Sequence, residues 1–450
     1  MGREILSKSS YLLLILVSGI LLVGCIDLDD EDDPENLNNT PSSTQNISDI
    51  KSVAYTYHSE NGNRLVQGQG VLPNLTPLDI TLPDTVTWIA AATNDLQSVW
   101  AVILESGQVK AYKVTNNSAT EVAIMPNQVS TTIPPTLVLE NDGNVKLANV
   151  FEDGSAYSSP VILDKDTGDR VYIANNGDVV LKSSTMEQRL AVNALSYARL
   201  LLDSNKRILV LTDPTSRLDH VAVLGSGFQH ASSITIIDTD TFSVSSKITI
   251  DAPDAVEGNA LIWTDVNNDG TNEIITTLSS DGVGARIVVF NEDGSEYAES
   301  SAIGLDNRWR HQIAVAPYKS ATETNLVSVY IPHLGPKIEY FRLDDQSMAI
   351  TNQTASYSSH LWTGVNIDMG ISGDFDNDGK LELLLVNHAS RGFISPSVIG
   401  AFEYDESGIN LDWTLDLTGL ISSNVAAVTL SNNTIAYGVG QGANLRIWHS

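Results

Sequence analysis

Short β-type runs recur along this chain in groups of four, and that recurrence limits the fold more than any other feature. From Ala260 to Ile303 the runs are ALIWTD, EIITTL, ARIVVFN and YAESSAI, separated by turn-forming Asn-Asp-Gly and Glu-Asp-Gly sequences. The next group reads QIAVAPY, NLVSVYI, KIEYFRL and MAITNQT, and the one after it MGISGDF, ELLLVN, VIGAFEY and INLDWTL. A further group, YARLLLD, RILVLTD, SSITIID and FSVSSKI, lies upstream. Past the N-terminal region no long segment places apolar residues at the helical spacing of 3.6, so the chain is expected to be all-β.

With Ala198, Ala260, Gln312, Met369 and Asn424 as first-strand markers, the groups begin 62, 52, 57 and 55 residues apart. Four-stranded units at such a period predict the blades of a β-propeller. Earlier units start near Trp88 and Thr136, and the strand-like stretch after Tyr172 is hard to allot. The count is seven blades, with eight as the alternative. The last unit, NVAAVTL, TIAYGVG and NLRIWHS, holds three strands before the chain ends. A strand from within Val53 to Leu82 is expected to complete it and close the ring, since closure removes exposed sheet edges. A pair of β-sandwich domains would leave the short last unit unexplained.

Two turns in this pattern carry metal chemistry. Asp265-Val-Asn267-Asn-Asp269-Gly270-Thr271-Asn-Glu273 and Asp374-Phe-Asp376-Asn-Asp378-Gly379-Lys380-Leu-Glu382 both fit D-x-[DN]-x-D-G-x-x-E, and both lie between a first and a second strand. Calcium takes six to eight hard oxygens at about 2.3 to 2.6 Å, and alternate positions of a tightly wound loop supply them. Places one, three, five and nine bind through side chains, and Thr271 and Lys380 at place seven through their carbonyls. An EF-hand would need flanking helices and an acid at place twelve. The loops instead resemble those of FG-GAP or VCBS-type repeat propellers, a group that includes the integrin α head. That resemblance implies two structural calcium sites and a propeller, without fixing the function.

The chain's first 24 residues have Arg3 and Lys8 ahead of an apolar run from Tyr11 to Val23, which is the layout of a secretory signal. Leu22-Val23-Gly24-Cys25 resembles the lipobox of bacterial lipoproteins, and the chain's single cysteine is the residue that motif would lipidate. A cell-envelope location follows from the resemblance, with the outer membrane favoured because Ile26 follows the cysteine. Residues 25–52 are acidic at first and polar throughout and read as a flexible tether. Residues 53–450 then form the single propeller domain. A formal charge of −30 argues against a nucleic-acid partner, and one cysteine excludes an internal disulfide.

Histidines and arginines are expected to gather on the face opposite the calcium loops. His230, His333 and His388 follow second strands. Arg308, Trp309, Arg310 and His311, and His360 with Trp362, precede first strands. Guanidinium groups suit a carboxylate or sulfate and indoles stack on sugar rings, so this face is the candidate site for a glycan. The expected function is an envelope-anchored module that binds a glycan or a protein partner. The alternative is a polysaccharide lyase, in which Arg308 or Arg310 would neutralise a uronate and His311, His333 or His360 would move the C5 proton. Those histidines match no known zinc spacing, and no nucleotide-binding or nucleophile-elbow motif is present.

Overall fold

The computed structural model describes residues 46–449, apart from 117, 219–224, 226, 305–307, 333–334, 345–346, 355–356, 361–365 and 388–397. The expected signal, Cys25 and most of the expected tether lie outside the described residues. The chain is built from short antiparallel meanders, and among the described residues the only helical turn is Leu72–Asn74. The four runs from Ala260 onward become strands Ile262–Thr264, Glu273–Ser279, Arg286–Phe290 and Glu296–Glu299. The next group gives Arg310–Ser320, Glu323–Tyr330, Lys337–Asp344 and Ser347–Thr354. The unallotted stretch after Tyr172 resolves into Arg170–Ile173 and Asp178–Lys182, the middle strands of a meander with Val161–Ile162 and Glu187–Ala191.

Burial along these strands shows how the sheets pack. Glu273–Ser279 is buried at every position, and so is Glu382–Asn387 apart from its last residue. Continuous burial, rather than alternation, means that a strand is covered on both faces. Fourth strands such as Ser118–Val122 are largely exposed. The apolar clusters lie between successive meanders: Ile262, Ile275 and Val289 pack with Val315, Leu326 and Phe341, and Ile313 and Tyr340 pack with Leu383 and Phe402. Another cluster joins the sheet of Val86, Ile89 and Trp100 to that of Ala426, Ala436 and Leu445, near the C-terminus. Across this junction Asn424 Oδ1 accepts from the Ile89 N–H at 2.9 Å and its Nδ2 donates to the Ile89 carbonyl at 2.9 Å.

The N-terminal stretch threads through several sheets. Strand β1 (Ile50–Tyr55) pairs antiparallel with Thr136–Glu140, β2 (Leu65–Gln69) lies parallel to Ile371–Asp374, and β3 (Leu78–Thr81) pairs antiparallel with Asn444–Trp448. The last three-strand unit therefore gains its fourth strand from the region expected. Ile47 and Ile50, within the expected tether, are buried, and β1 begins at Ile50. Between β1 and β2 the chain forms a strap tied to three further meanders, which are joined by hydrogen bonds into one 13-stranded sheet. The Leu202 N–H donates to Glu60 O at 2.8 Å, the Trp263 N–H to Asn61 O at 2.9 Å, and the Val315 N–H to Asn63 Oδ1 at 2.9 Å. Gly62 is needed in this strap, since its φ is +79° and a Cβ there would stand 2.2 Å from Leu261 O.

Candidate functional site

Both acidic loops have the turn that their shared pattern predicts. Asn268 and Gly270 have φ of 61° and 89°, and Asn377 and Gly379 have 68° and 86°, so the left-handed residues fall at the same two places. In the second loop, strand Ile371–Asp374 ends on the acid at place one and Glu382–Asn387 begins on the acid at place nine, with Gly373 paired to Glu382. Asp374, Asp376, Asp378 and Glu382 each bring a carboxylate oxygen into one group whose members all lie within 4.8 Å of one another. Backbone amides shape the loop: Asn377 N–H donates to Asp374 Oδ1 at 2.7 Å, Asp378 N–H to Asp376 Oδ1 at 3.1 Å and Lys380 N–H to Asp378 Oδ1 at 2.8 Å.

Four carboxylates this close carry an electrostatic cost. Glu382 is fully buried; Oε2 accepts from the Phe375 N–H at 2.6 Å, while Oε1 has no hydrogen-bond partner. Burial first, and then the charges of Asp376, Asp374 and Asp378, push its carboxyl up to about 9 against the Phe375 N–H. Burial likewise raises Asp374 and Asp376. An all-oxygen donor set with one buried oxygen unpartnered fits a hard cation, which would neutralise the repulsion and satisfy that oxygen. At the edge of the group the Lys380 ammonium bonds Glu403 Oε2 at 2.6 Å and pairs with Asp378 Oδ2 at 3.6 Å.

The first loop has the same outline and a looser acidic set. Glu273 is buried, accepts from the Val266 N–H at 2.8 Å through Oε2 and from Asn267 Nδ2 at 3.3 Å through Oε1. Asp265 accepts from the Asp269 N–H at 3.2 Å and the Gly270 N–H at 2.9 Å, and Asp269 accepts from the Thr271 N–H at 2.8 Å. Among the described residues these acids do not form a group as compact as that around Glu382. Burial, with smaller contributions from Asp269 and Asp265, raises Glu273.

The arginine and histidine residues converge, but inside the protein. Trp309, Arg310, His311 and His360 are all buried, with Trp309 stacked on His311 at 4.8 Å and edge-on to His360 at 5.9 Å. Arg310 grips Glu339 through Nε at 2.8 Å and Nη2 at 3.2 Å, and donates to Ser301 O at 2.5 Å. His311 exchanges a hydrogen bond with Ser359 Oγ at 2.8 Å and lies 3.3 Å from Arg64 Nη2. Arg308 donates to Ile303 O at 3.3 Å, and His230 is buried at the start of its strand. The expected open face is corrected for Trp309, Arg310, His311, His360 and His230, which are buried in the packed layer; Arg310 and His311 are hydrogen-bonded there by Glu339 and Ser359, whereas the Trp309 indole N–H has no partner. His333, Trp362 and His388 lie outside the described residues.

Sequence reasoning missed a deeper charge cluster. Arg64 Nη2 and Arg199 Nη2 each stand 2.6 Å from Asp368 Oδ1, all three side chains being nearly inaccessible. Arg199 also lies over the Tyr57 ring at 5.3 Å. Burial, with the adjacent Arg199 charge, pushes Arg64 down to about 10 against the pull of Asp368. Asp368 falls below its ordinary range because Arg199 and Arg64 together outweigh the opposing effect of burial. Arg199 and Asp368, like Arg310, are charges set just before apolar first strands, and that placement was the available signal. Arg64, on the strap, gave none.

No family model and no curated protein matches this chain. Among solved structures, a europium-containing methanol dehydrogenase is similar over 85% of this chain and 88% of its own, with a TM-score of 0.51 and 8% identity. The chain has a β-propeller fold. At that identity the likeness speaks for the fold alone. Raptor from Chaetomium thermophilum gives a TM-score of 0.43 at 11% identity over 86% of this chain, and this chain spans only 29% of it. A chain of the mitotic checkpoint complex gives 0.39 at 13% identity over 84% of this chain and 96% of its own.

Proposed function

We propose that this propeller is a calcium-stabilised binding or assembly module of the bacterial cell envelope, held through a lipid on Cys25 and tethered by residues 25–52. Its partner is a glycan or an envelope protein. The observation that carries the reading is the Asp374, Asp376, Asp378 and Glu382 group with its unpartnered, buried Glu382 oxygen. Such a group stabilises a scaffold once a cation fills it and needs no substrate to explain it. Asp265, Asn267, Asp269, Glu273 and the Thr271 carbonyl form a second, weaker calcium site by pattern and turn geometry, and the Lys380 carbonyl joins the first.

Eight blades in a closed ring is the arrangement we favour. Grouping the strands of the described residues by meander gives eight units. The pairing of β3 with Asn444–Trp448 and the Asn424–Ile89 hydrogen bonds support a junction between the last unit and the one that starts at Val86. A ring whose blades need cations at loop turns suits a rigid platform, as repeat architectures commonly serve recognition. The test is thermal unfolding of the full chain with calcium and with excess chelator, alongside elemental analysis. Bound calcium and a melting temperature that falls on chelation support the reading. Identical curves with no metal found overturn it.

A further inference from the structure

Residues 60–72, which hold the end of the strap and all of β2, run as one thread past successive meanders. Glu60 O accepts from the Leu202 N–H and Asn61 O from the Trp263 N–H, and the Arg64 N–H donates to Ile313 O at 3.3 Å. Strand β2 then lies along Ile371–Asp374, and the Gln69 N–H donates to Asn433 O at 2.9 Å. From there the thread meets the second acidic loop: the Gly70 N–H donates to Asp374 O at 2.7 Å and the Leu72 N–H to Phe375 O at 2.9 Å. Leu72 and Phe375 are fully buried in one apolar cluster with Val66. A Cβ on Gly70 would run into Phe375 O, so the contact closes only over a glycine.

Those two carbonyls belong to the frame that carries the acids. Asp374 gives its carboxylate to the acidic group and its carbonyl to Gly70. Phe375 donates its N–H to Glu382 Oε2 at 2.6 Å and offers its carbonyl to Leu72. Without a cation the four carboxylates repel one another, and burial adds to the cost at Glu382. Residues 374 and 375 cannot move to relieve that repulsion without displacing both carbonyls on which the thread is fastened. The first loop is reached differently, because the thread touches its strand at Trp263, two residues ahead of Asp265.

We propose that the second acidic loop is a calcium-operated clasp on this thread. The filled loop fixes residues 70–72, and the empty loop lets residues 65–75 open locally while the meanders stay folded. The clasp rests on the reading of that loop as a calcium site and adds what the ion controls. Because the same thread is bonded to Leu202, Trp263, Ile313 and Asn433, calcium sets how firmly their meanders are held to one another. A calcium-poor setting therefore gives a looser platform before it gives an unfolded one. The coupling is reciprocal: whatever seats the thread on the loop tightens calcium by the same factor.

Hydrogen exchange of the full chain, well below its melting temperature, reads the clasp in excess calcium and in chelator. At calcium about a hundredfold above Kd, an opening that needs the ion to leave is suppressed about a hundredfold. Residues 65–75 should therefore exchange about a hundredfold faster in chelator, at times when the buried strand Gln97–Leu104 is unexchanged in both buffers. Glu382→Gln should remove the difference between the buffers in that segment. Gly70→Ala, which alters no carboxylate, should weaken the tighter calcium-binding event about fivefold or more by calorimetry; if that variant does not fold, the exchange of wild type and Glu382→Gln decides. Equal exchange of residues 65–75 in both buffers, with calcium bound and melting lowered by chelation, would overturn the clasp and leave the calcium-stabilised module standing. Wild-type calcium affinity in Gly70→Ala would overturn the clasp as well. A chain that holds no calcium by elemental analysis would overturn the clasp together with the reading on which it rests.

Discussion

The loops at 265–273 and 374–382 share their turn, their two left-handed positions and a buried terminal glutamate, yet only the second draws its acids into one tight group. The difference begins at place three, which is Asn267 in one and Asp376 in the other. In the first loop the Asn267 amide donates to Glu273 Oε1 and so satisfies within the protein the oxygen that in the second loop is left unpartnered. In the second, Asp376 cannot donate. Its carboxylate accepts from Trp413 Nε1 at 3.1 Å and adds a charge that helps to push Glu382 up. One amide in place of one acid separates a loop that can stand without metal from one that asks for it.

Removing the cation altogether is the largest test of this contrast. A ligand bound only by the folded chain at a hundredfold excess over its Kd contributes about 2.7 kcal/mol, so chelation should lower stability by about that amount, mostly through the second loop. Glu382→Gln should come next. It should abolish the calcium response of the second loop, a loss of about 2 kcal/mol in calcium, while in chelator the variant should equal or exceed wild type because a buried acid has gone. Glu273→Gln should show a smaller drop in calcium by the same melting assay. If the two glutamates behave alike, the contrast between the loops is wrong.

Acidity sharpens the comparison further. In chelator, the folded-state carboxyl of Glu382 is raised to about 9 from an ordinary 4.5. A raised carboxyl contributes its full share of stability below the unfolded value, and that share is lost as pH climbs toward the folded one. Metal-free protein should therefore lose stability as pH rises from about 4.5 toward 9, and calcium should remove much of that loss, as read by melting at several pH values. Glu382→Gln should flatten the metal-free profile. The smallest effect belongs to Asn267→Asp, which gives the first loop the second loop's place-three acid. It should tighten calcium there about fivefold in titration, near 1 kcal/mol.

Strand groups and loop chemistry were legible because each is written locally. The four runs after Ala260, the three strands after Asn424 and the two nine-residue loops all appear where their turn residues and apolar runs put them. The strap was not, since Thr56 to Arg64 has no strand pattern and its partners at Leu202, Trp263 and Val315 are between 142 and 252 residues away. Burial was equally hidden. Arg310 and His311 read as surface chemistry because sequence marks where a side chain enters a strand and says nothing of Glu339 or Ser359 waiting across the packed layer. The Arg64, Arg199 and Asp368 cluster combines both difficulties, with its members 135 and 169 residues apart along the chain.

Calorimetric titration of chelator-stripped full chain with calcium, repeated on Glu382→Gln, tests the central claim most directly. Two binding events of unequal affinity are expected in wild type, and the tighter one alone should vanish in the variant. A wild-type chain that takes up no calcium, or a variant that keeps the tighter event, would contradict the account.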